Sequence, residues 1–204
     1  MESKFYLMFA TPPLFVTQYE GTVDSFLSEA YSIPYRDSFG NKVSTDTYVL
    51  KRPGFNKLEK FFLEHVNSYT RQVLGSEEEI GIQQSWVNIT QGEQNHPKHY
   101  HSNSYLSGVF YLNTVKETPI VFDSPHTHNW PIRPEPKEYL TVGGNEFTND
   151  SYSYQASAGD LVLFPSSIPH WVPINKTDEN RISISFNTFP KIPFGGIDNT
   201  TRLT

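Results

Sequence analysis

The sequence predicts a mainly β protein, a jelly roll or related closed sandwich, with its helices confined to the N-terminal third. Three observations carry this. Beyond Gly81 the chain alternates apolar and polar residues in short runs separated by turn formers. Before Gly81 its clearest pattern has helical period, over Asn56 to Leu74. The 204 residues hold no internal repeat, low-complexity tract or linker, which suits a single domain over 1–204. That domain divides into a helical support region (1–80), a β core (81–190) and a C-terminal tail (191–204).

Taken in order, Lys4 to Ala10 reads as a strand stopped by Pro12-Pro13, and Leu14-Phe15-Val16 is a second short apolar run. Val23, Phe26, Leu27 and Ala30 share one face of a short helix with Asp24 in its first turn. Ser32 to Arg52 is polar and turn-rich, a loop with one strand at Thr47–Leu50. Pro53-Gly54 then introduces the long helix, whose stripe runs Leu58, Phe61, Phe62, His65, Val66, Tyr69 and Val73, with Gly75 as a natural stop. His65, on that stripe, reads as a packed core histidine. Strands follow at Ile82–Thr90, Tyr105–Asn113, Thr118–Phe122, Leu161–Phe164 and Arg181–Phe189. The proline-rich stretch 130–136 is an irregular excursion, and Gly143-Gly144-Asn145 a turn.

Composition removes several classes of function. With no cysteine there are no disulfides, thiolate metal sites or cysteine nucleophiles, which suits a reducing compartment. A net charge of -6 argues against a general electrostatic grip on nucleic acid. No apolar run is long enough to span a bilayer, and the N-terminus lacks a signal-peptide core. The expectation is a soluble, cytoplasmic protein; the sequence leaves a homodimer open.

Five of the seven histidines fall between His96 and His128. His99 and His101 stand one residue apart, so on an extended strand they point the same way and can bind one divalent ion. The third ligand must come from far away, and His170, held after the bend Pro165–Pro169, is the candidate. His96 reads as a rim residue beside the ligands. His126 and His128, between prolines, read as loop residues at the mouth of the site.

Two strands look two-faced. In Tyr105–Asn113, Leu106, Gly108, Phe110 and Leu112 form the face packed on other layers, and Ser107, Val109, Tyr111 and Asn113 the face of a cavity wall. In Arg181–Asn187, Ile182, Ile184 and Phe186 oppose Arg181, Ser183, Ser185 and Asn187. That polar side could face water, as on many amphipathic strands. If it faces inward, Arg181 needs an anionic partner, because an unpaired buried charge is costly. A small-molecule carboxylate fits a guanidinium bidentately, and Ser183 can add a hydrogen bond.

Taken together, His99-Tyr100-His101, Leu106–Leu112, Gly159–His170 and Arg181–Asn187 resemble the 2-oxoglutarate/Fe(II) oxygenases. Trp86-Val87-Asn88 followed by His96-x-x-His99-x-His101 and Ser107-Gly108 resembles an uncharacterised bacterial and phage branch of that superfamily. The likeness spans roughly the C-terminal two-thirds of the chain. It implies a double-stranded β-helix, cupin-like, that binds Fe(II) and 2-oxoglutarate and uses molecular oxygen to hydroxylate or oxidise a small molecule or protein side chain. By the same resemblance, His99, His101 and His170 would hold the metal, Arg181 with Ser183 the distal carboxylate of 2-oxoglutarate, and Tyr111 and Asn88 would contact the co-substrate. The departure is His101, which stands where most members have a carboxylate; Asp123 could supply one, although a turn-capping aspartate before Ser124-Pro125 is its more ordinary reading. Two alternatives stay open. His-x-His with Gly159-x5-Pro165 and His170 also resembles two cupin half-motifs without their glutamate, which would give a metal enzyme that does not use 2-oxoglutarate. A non-enzymatic jelly-roll binding protein would leave the three histidines unexplained.

Overall fold

The long helix sets the arrangement of the layers. A computed structural model of the protein describes residues 12–124 and 150–191. The expected strand at Lys4–Ala10, the pair His126/His128, the stretch 130–136, the turn at 143–145 and all but the first residue of the tail lie outside the described residues. The strands are β1 (Phe15–Gln18), β2 (Tyr35–Asp37), β3 (Lys42–Ser44), β4 (Ile80–Thr90), β5 (His96–His99), β6 (Leu106–Asn113), β7 (Ile120–Asp123), β8 (Ser151–Tyr154), β9 (Asp160–Pro165), β10 (His170–Val172) and β11 (Arg181–Pro190). The helices are α1 (Asp24–Tyr31) and α2 (Asn56–Leu74). None of the described helices is long and apolar enough to cross a membrane.

Leu58, Phe62, Val66 and Tyr69 recur every three or four residues, so α2 buries one stripe. Gly75 ends the helix in the left-handed conformation (φ 61°), its N–H bonded to the Thr70 carbonyl, as glycine does without steric penalty. Val73 falls beyond the covered part of the stripe and is exposed. His65 is half-buried against Phe61 (4.5 Å between ring centres) and Phe15 (5.7 Å), and burial pushes its pKa down.

The strands form two antiparallel sheets. The larger runs β1-β9-β6-β11-β4-β3-β2 and the smaller β5-β10-β7-β8. One core lies between the helices and the larger sheet, which it meets through Leu106, Phe110, Leu112, Ile182, Ile184 and Phe186. A second lies between the sheets, built on Val109, Tyr111, Ile120, Phe122, Val162 and Phe164. The helix-packed faces of β6 and β11 are therefore those the alternation predicts, and Arg181, Ser183 and Asn187 are turned inward and buried. The water-facing alternative for the polar side of β11 does not hold.

The N-terminal third differs from its expected, helical form. It gives β1 to one edge of the larger sheet and the hairpin β2–β3 to the other. The expected strand at Thr47–Leu50 is a single bridge, Tyr48 to Ser85, followed by a 3-10 turn at Val49–Lys51. Val49 and Leu50 are both buried, and the Leu50 N–H donates to Ser85 Oγ at 3.0 Å in place of a ladder bond.

Gly108 marks the closest approach across the helix-packed face. A Cβ there would lie 2.1 Å from Phe186 Cζ, and the Phe186 ring is stacked on Phe62 at 4.8 Å, so it has little room to retreat. Gly108→Ala is expected to destabilise the fold by about 1–3 kcal/mol, the usual cost of overpacking, read as a lower midpoint in chemical denaturation. An unchanged midpoint would show that this layer is looser than its ring stacking implies.

Candidate metal centre

The site forms where the two sheets meet. His99 on β5 and His170 on β10 are directly opposed in register. His101 lies past the end of β5, so the extended-strand geometry expected for the His-x-His pair stops at His99. Its backbone N–H instead donates to the Ser166 carbonyl at 2.9 Å, tying it to the bend that precedes His170. Ring centres are 4.4 Å apart for His99–His170, 5.1 Å for His99–His101 and 5.3 Å for His101–His170. One ligand nitrogen from each lies within 4.8 Å of the other two. Atoms sharing one ion at about 2.1 Å stand about 3–3.5 Å apart, so the rings need only close up modestly to share a metal.

Hydrogen bonds fix the tautomers of two of the rings. Nδ1 of His99 faces the Pro97 carbonyl at 2.8 Å, and Nδ1 of His170 faces the Ile168 carbonyl at 2.9 Å. A carbonyl only accepts, so each Nδ1 carries the proton and each Nε2 keeps its lone pair for a ligand. Phe164 packs edge-on against His170 at 4.7 Å and Phe122 lies 6.1 Å away, so that ring is held on its apolar side too. Burial is the main force that lowers the His170 pKa, to about 3. Burial, then His99, lowers that of His101 to about 4. These imidazoles are neutral at pH 7, the form that binds metal. His101 Nδ1 faces the buried amide of Asn187 at 3.5 Å, and the Asn187 oxygen accepts from Ser107 Oγ at 3.1 Å.

His96 stacks on His99 at 4.5 Å and lies outside the trio. Asp123 does not join it either. Its carboxylate pairs with Lys98 at 2.9 Å, and Lys98 also lies over the Trp171 ring at 4.3 Å.

The Arg181 side of the site is a narrow cavity between the sheets, lined by the trio, Asn88, Arg181 and Ser183 among others. Arg181 is only 3% exposed. Its guanidinium carbon sits 5.0 Å from the centre of the Tyr111 ring, and no carboxylate among the described residues pairs with it. Desolvation lowers its pKa. The Tyr111 hydroxyl is buried beside the Arg181 guanidinium, and burial raises its pKa, so it stays protonated and neutral. Asn88 is held by the Trp86 indole N–H (3.2 Å) and donates to Ser185 Oγ (2.9 Å), which leaves one amide hydrogen for a ligand. Upstream, Asn175 donates to the Glu179 and Thr90 carbonyls and so fixes the loop that delivers Arg181.

Nitrogen donors converge, and beside them is a buried cation with no carboxylate partner among the described residues. This set suits a divalent ion plus a small acid, and a carboxylate at Arg181 would supply the missing counter-charge. The sequence put Asn187 on the polar side of β11 without a role. Gln84 and Arg36, which line the site from β4 and β2, were not anticipated at all. The two-residue spacing from Gln84 to Trp86 to Asn88 was the available signal for the first. Nothing local marked the second.

Comparison with known proteins settles the class. Residues 84–187, just over half of the chain, match the family described as "Putative 2OG-Fe(II) oxygenase". No curated protein matches the sequence. Among solved structures, HygX from Streptomyces hygroscopicus, with nickel, 2-oxoglutarate and hygromycin B bound, superposes with a TM-score of 0.64 at 14% identity, over 89% of this chain and 84% of that one. The α-ketoglutarate-dependent epimerase SnoN from nogalamycin biosynthesis gives 0.63 at 16% identity, over 88% and 79%. A Pseudomonas putida prolyl-4-hydroxylase gives 0.56 at 13% identity, over 87% and 93%. The chain belongs to the 2-oxoglutarate/Fe(II) oxygenase family and has its jelly-roll, double-stranded β-helix fold. As a member it is an oxidoreductase of the class that uses Fe(II), 2-oxoglutarate and oxygen, which sets aside the cupin reading without 2-oxoglutarate and the non-enzymatic one.

Proposed function

We propose that His99, His101 and His170 hold the iron of this oxygenase, and that Arg181, Ser183, Tyr111 and Asn88 hold its 2-oxoglutarate. The observation that carries this is the pairing of a three-imidazole cluster with a buried arginine that no described carboxylate neutralises. When bound, the iron and keto acid supply oxidation of a substrate C–H bond by molecular oxygen, with release of succinate and carbon dioxide. The protein supplies position and field. Nε2 of His99 and His170 present fixed lone pairs because their Nδ1 protons are committed to backbone carbonyls. Arg181 takes the distal carboxylate, which orients the rest of the molecule towards the histidines. Tyr111 and Ser183 donate hydrogen bonds beside it, and the two sheets keep water from weakening them.

His101 changes the charge of the site. Three neutral imidazoles leave a bound ion one unit more positive than two histidines and a carboxylate would. The substrate is a small molecule or an accessible side chain that reaches the histidines from outside the arginine cavity.

The test is turnover without added substrate. Purified protein with Fe(II) and 2-oxoglutarate in air is expected to form succinate slowly, and to stop when the iron is chelated. Succinate formation that survives chelation would remove iron from the reaction.

A further inference from the structure

A second cleft, of about 300 Å³, adjoins the metal centre. It shares Trp86, Asn88, His96, His99 and His101 with the first cavity but excludes Arg181, and its other walls come from β2, β3, β4, β11 and the loops beside them. Such a volume is at the small end of what small-molecule sites use. Trp86 supplies an aromatic surface. Gln84 and Asn103 supply amides able to donate and accept, and Asn187, bonded to Ser107 and Gln84, adds a polar wall. The surface therefore suits a ligand dense in hydrogen-bonding groups.

The charges in the cleft are one-sided. Among the described residues no carboxylate lines it, and Arg36 is its one side chain with a permanent charge. Arg36 is exposed on β2 and has no described ion-pair partner, since its neighbour Asp37 faces Lys42 at 4.0 Å. At the floor, the three-imidazole set adds no negative charge to offset a bound ion. A cation entering would meet repulsion from both ends and an anion attraction from both.

We propose that this cleft receives the primary substrate, and that the substrate is a small anionic molecule rich in hydroxyl or amide groups. Its carboxylate or phosphate lies on Arg36, and the carbon to be oxidised is turned to the histidines. This rests on the metal site proposed above, so the experiment begins there. Calorimetric titration of the full chain with Zn(II) and then 2-oxoglutarate establishes the loaded site; failure at that stage counts against the metal site and not against the cleft.

The loaded protein is then titrated with four solutes of one skeleton: glucose 6-phosphate, gluconate, glucose and glucosamine. At least one of the two anions is expected to bind about fivefold more tightly than glucose, the scale of one exposed charge pair, with glucosamine weakest. Which anion is preferred separates phosphate from carboxylate. The preference should shrink as salt is raised and vanish in Arg36→Glu. Glucose or glucosamine binding as tightly as both anions, no binding of either anion, or an anion preference that persists in Arg36→Glu would overturn the proposal.

Discussion

Arg181→Met is expected to yield a protein that is harder to melt and unable to bind 2-oxoglutarate. The Arg181 guanidinium, 3% exposed, has the Tyr111 side chain as its compensation and no described carboxylate. The ring face at 5.0 Å offsets part of the desolvation but cannot replace a counter-ion. A methionine of similar length fills the space without that cost. Exchanging buried charges for apolar groups of like volume often stabilises by about 1–4 kcal/mol, or several degrees in midpoint for a chain of this size. The same change removes the partner of the co-substrate carboxylate. Losing one member of a buried charge pair costs about 2–5 kcal/mol, roughly thirtyfold to several thousandfold in affinity. Thermal melting without ligand and calorimetry with Zn(II) and 2-oxoglutarate read the two effects separately. A lower midpoint with 2-oxoglutarate affinity intact would mean that Arg181 is a structural residue.

The second large effect concerns the ligands themselves. His170→Ala and His99→Ala are each expected to lower metal affinity by more than about a hundredfold, since even the groups that orient ligands are worth about 10–100-fold. His101→Asp should behave differently. It puts a carboxylate where most of the family has one, so the ion should be held at least as well as in the wild type. His96→Ala is the internal control. Its ring stacks on His99 but is not part of the trio, so the loss should be about tenfold or less. If His96→Ala loses as much metal as His170→Ala, or His101→Asp loses the metal altogether, the ligand set is wrong.

How much of this was legible in the sequence varied with the length of each element. α2 was legible because the helix runs nineteen residues, carries one apolar stripe and ends at a glycine. The two faces of β6 and β11 were legible because each strand is buried on both sides and separates an apolar from a mixed set. The convergence of His99, His101 and His170 followed from one short motif and one bend. The smaller sheet was much less legible. β5 and β10 are four and three residues long, and β5 carries Pro97 and Lys98, so neither alternation nor composition marks them. The hairpin β2–β3 read as loop because its strands have three residues each and reach the sheet only by pairing with β4. Asp123 could be proposed as a ligand because its partner Lys98 is 25 residues away.

Central to the proposed function is that iron and 2-oxoglutarate meet between the histidine trio and Arg181. Anaerobic titration with Fe(II) followed by 2-oxoglutarate, read by visible absorption, tests this most directly. The expected result is one iron per chain and a weak charge-transfer band that requires both additions, present in wild type and absent in Arg181→Met and His170→Ala. A band of full intensity in either variant, or iron bound with no response to the keto acid, would contradict it.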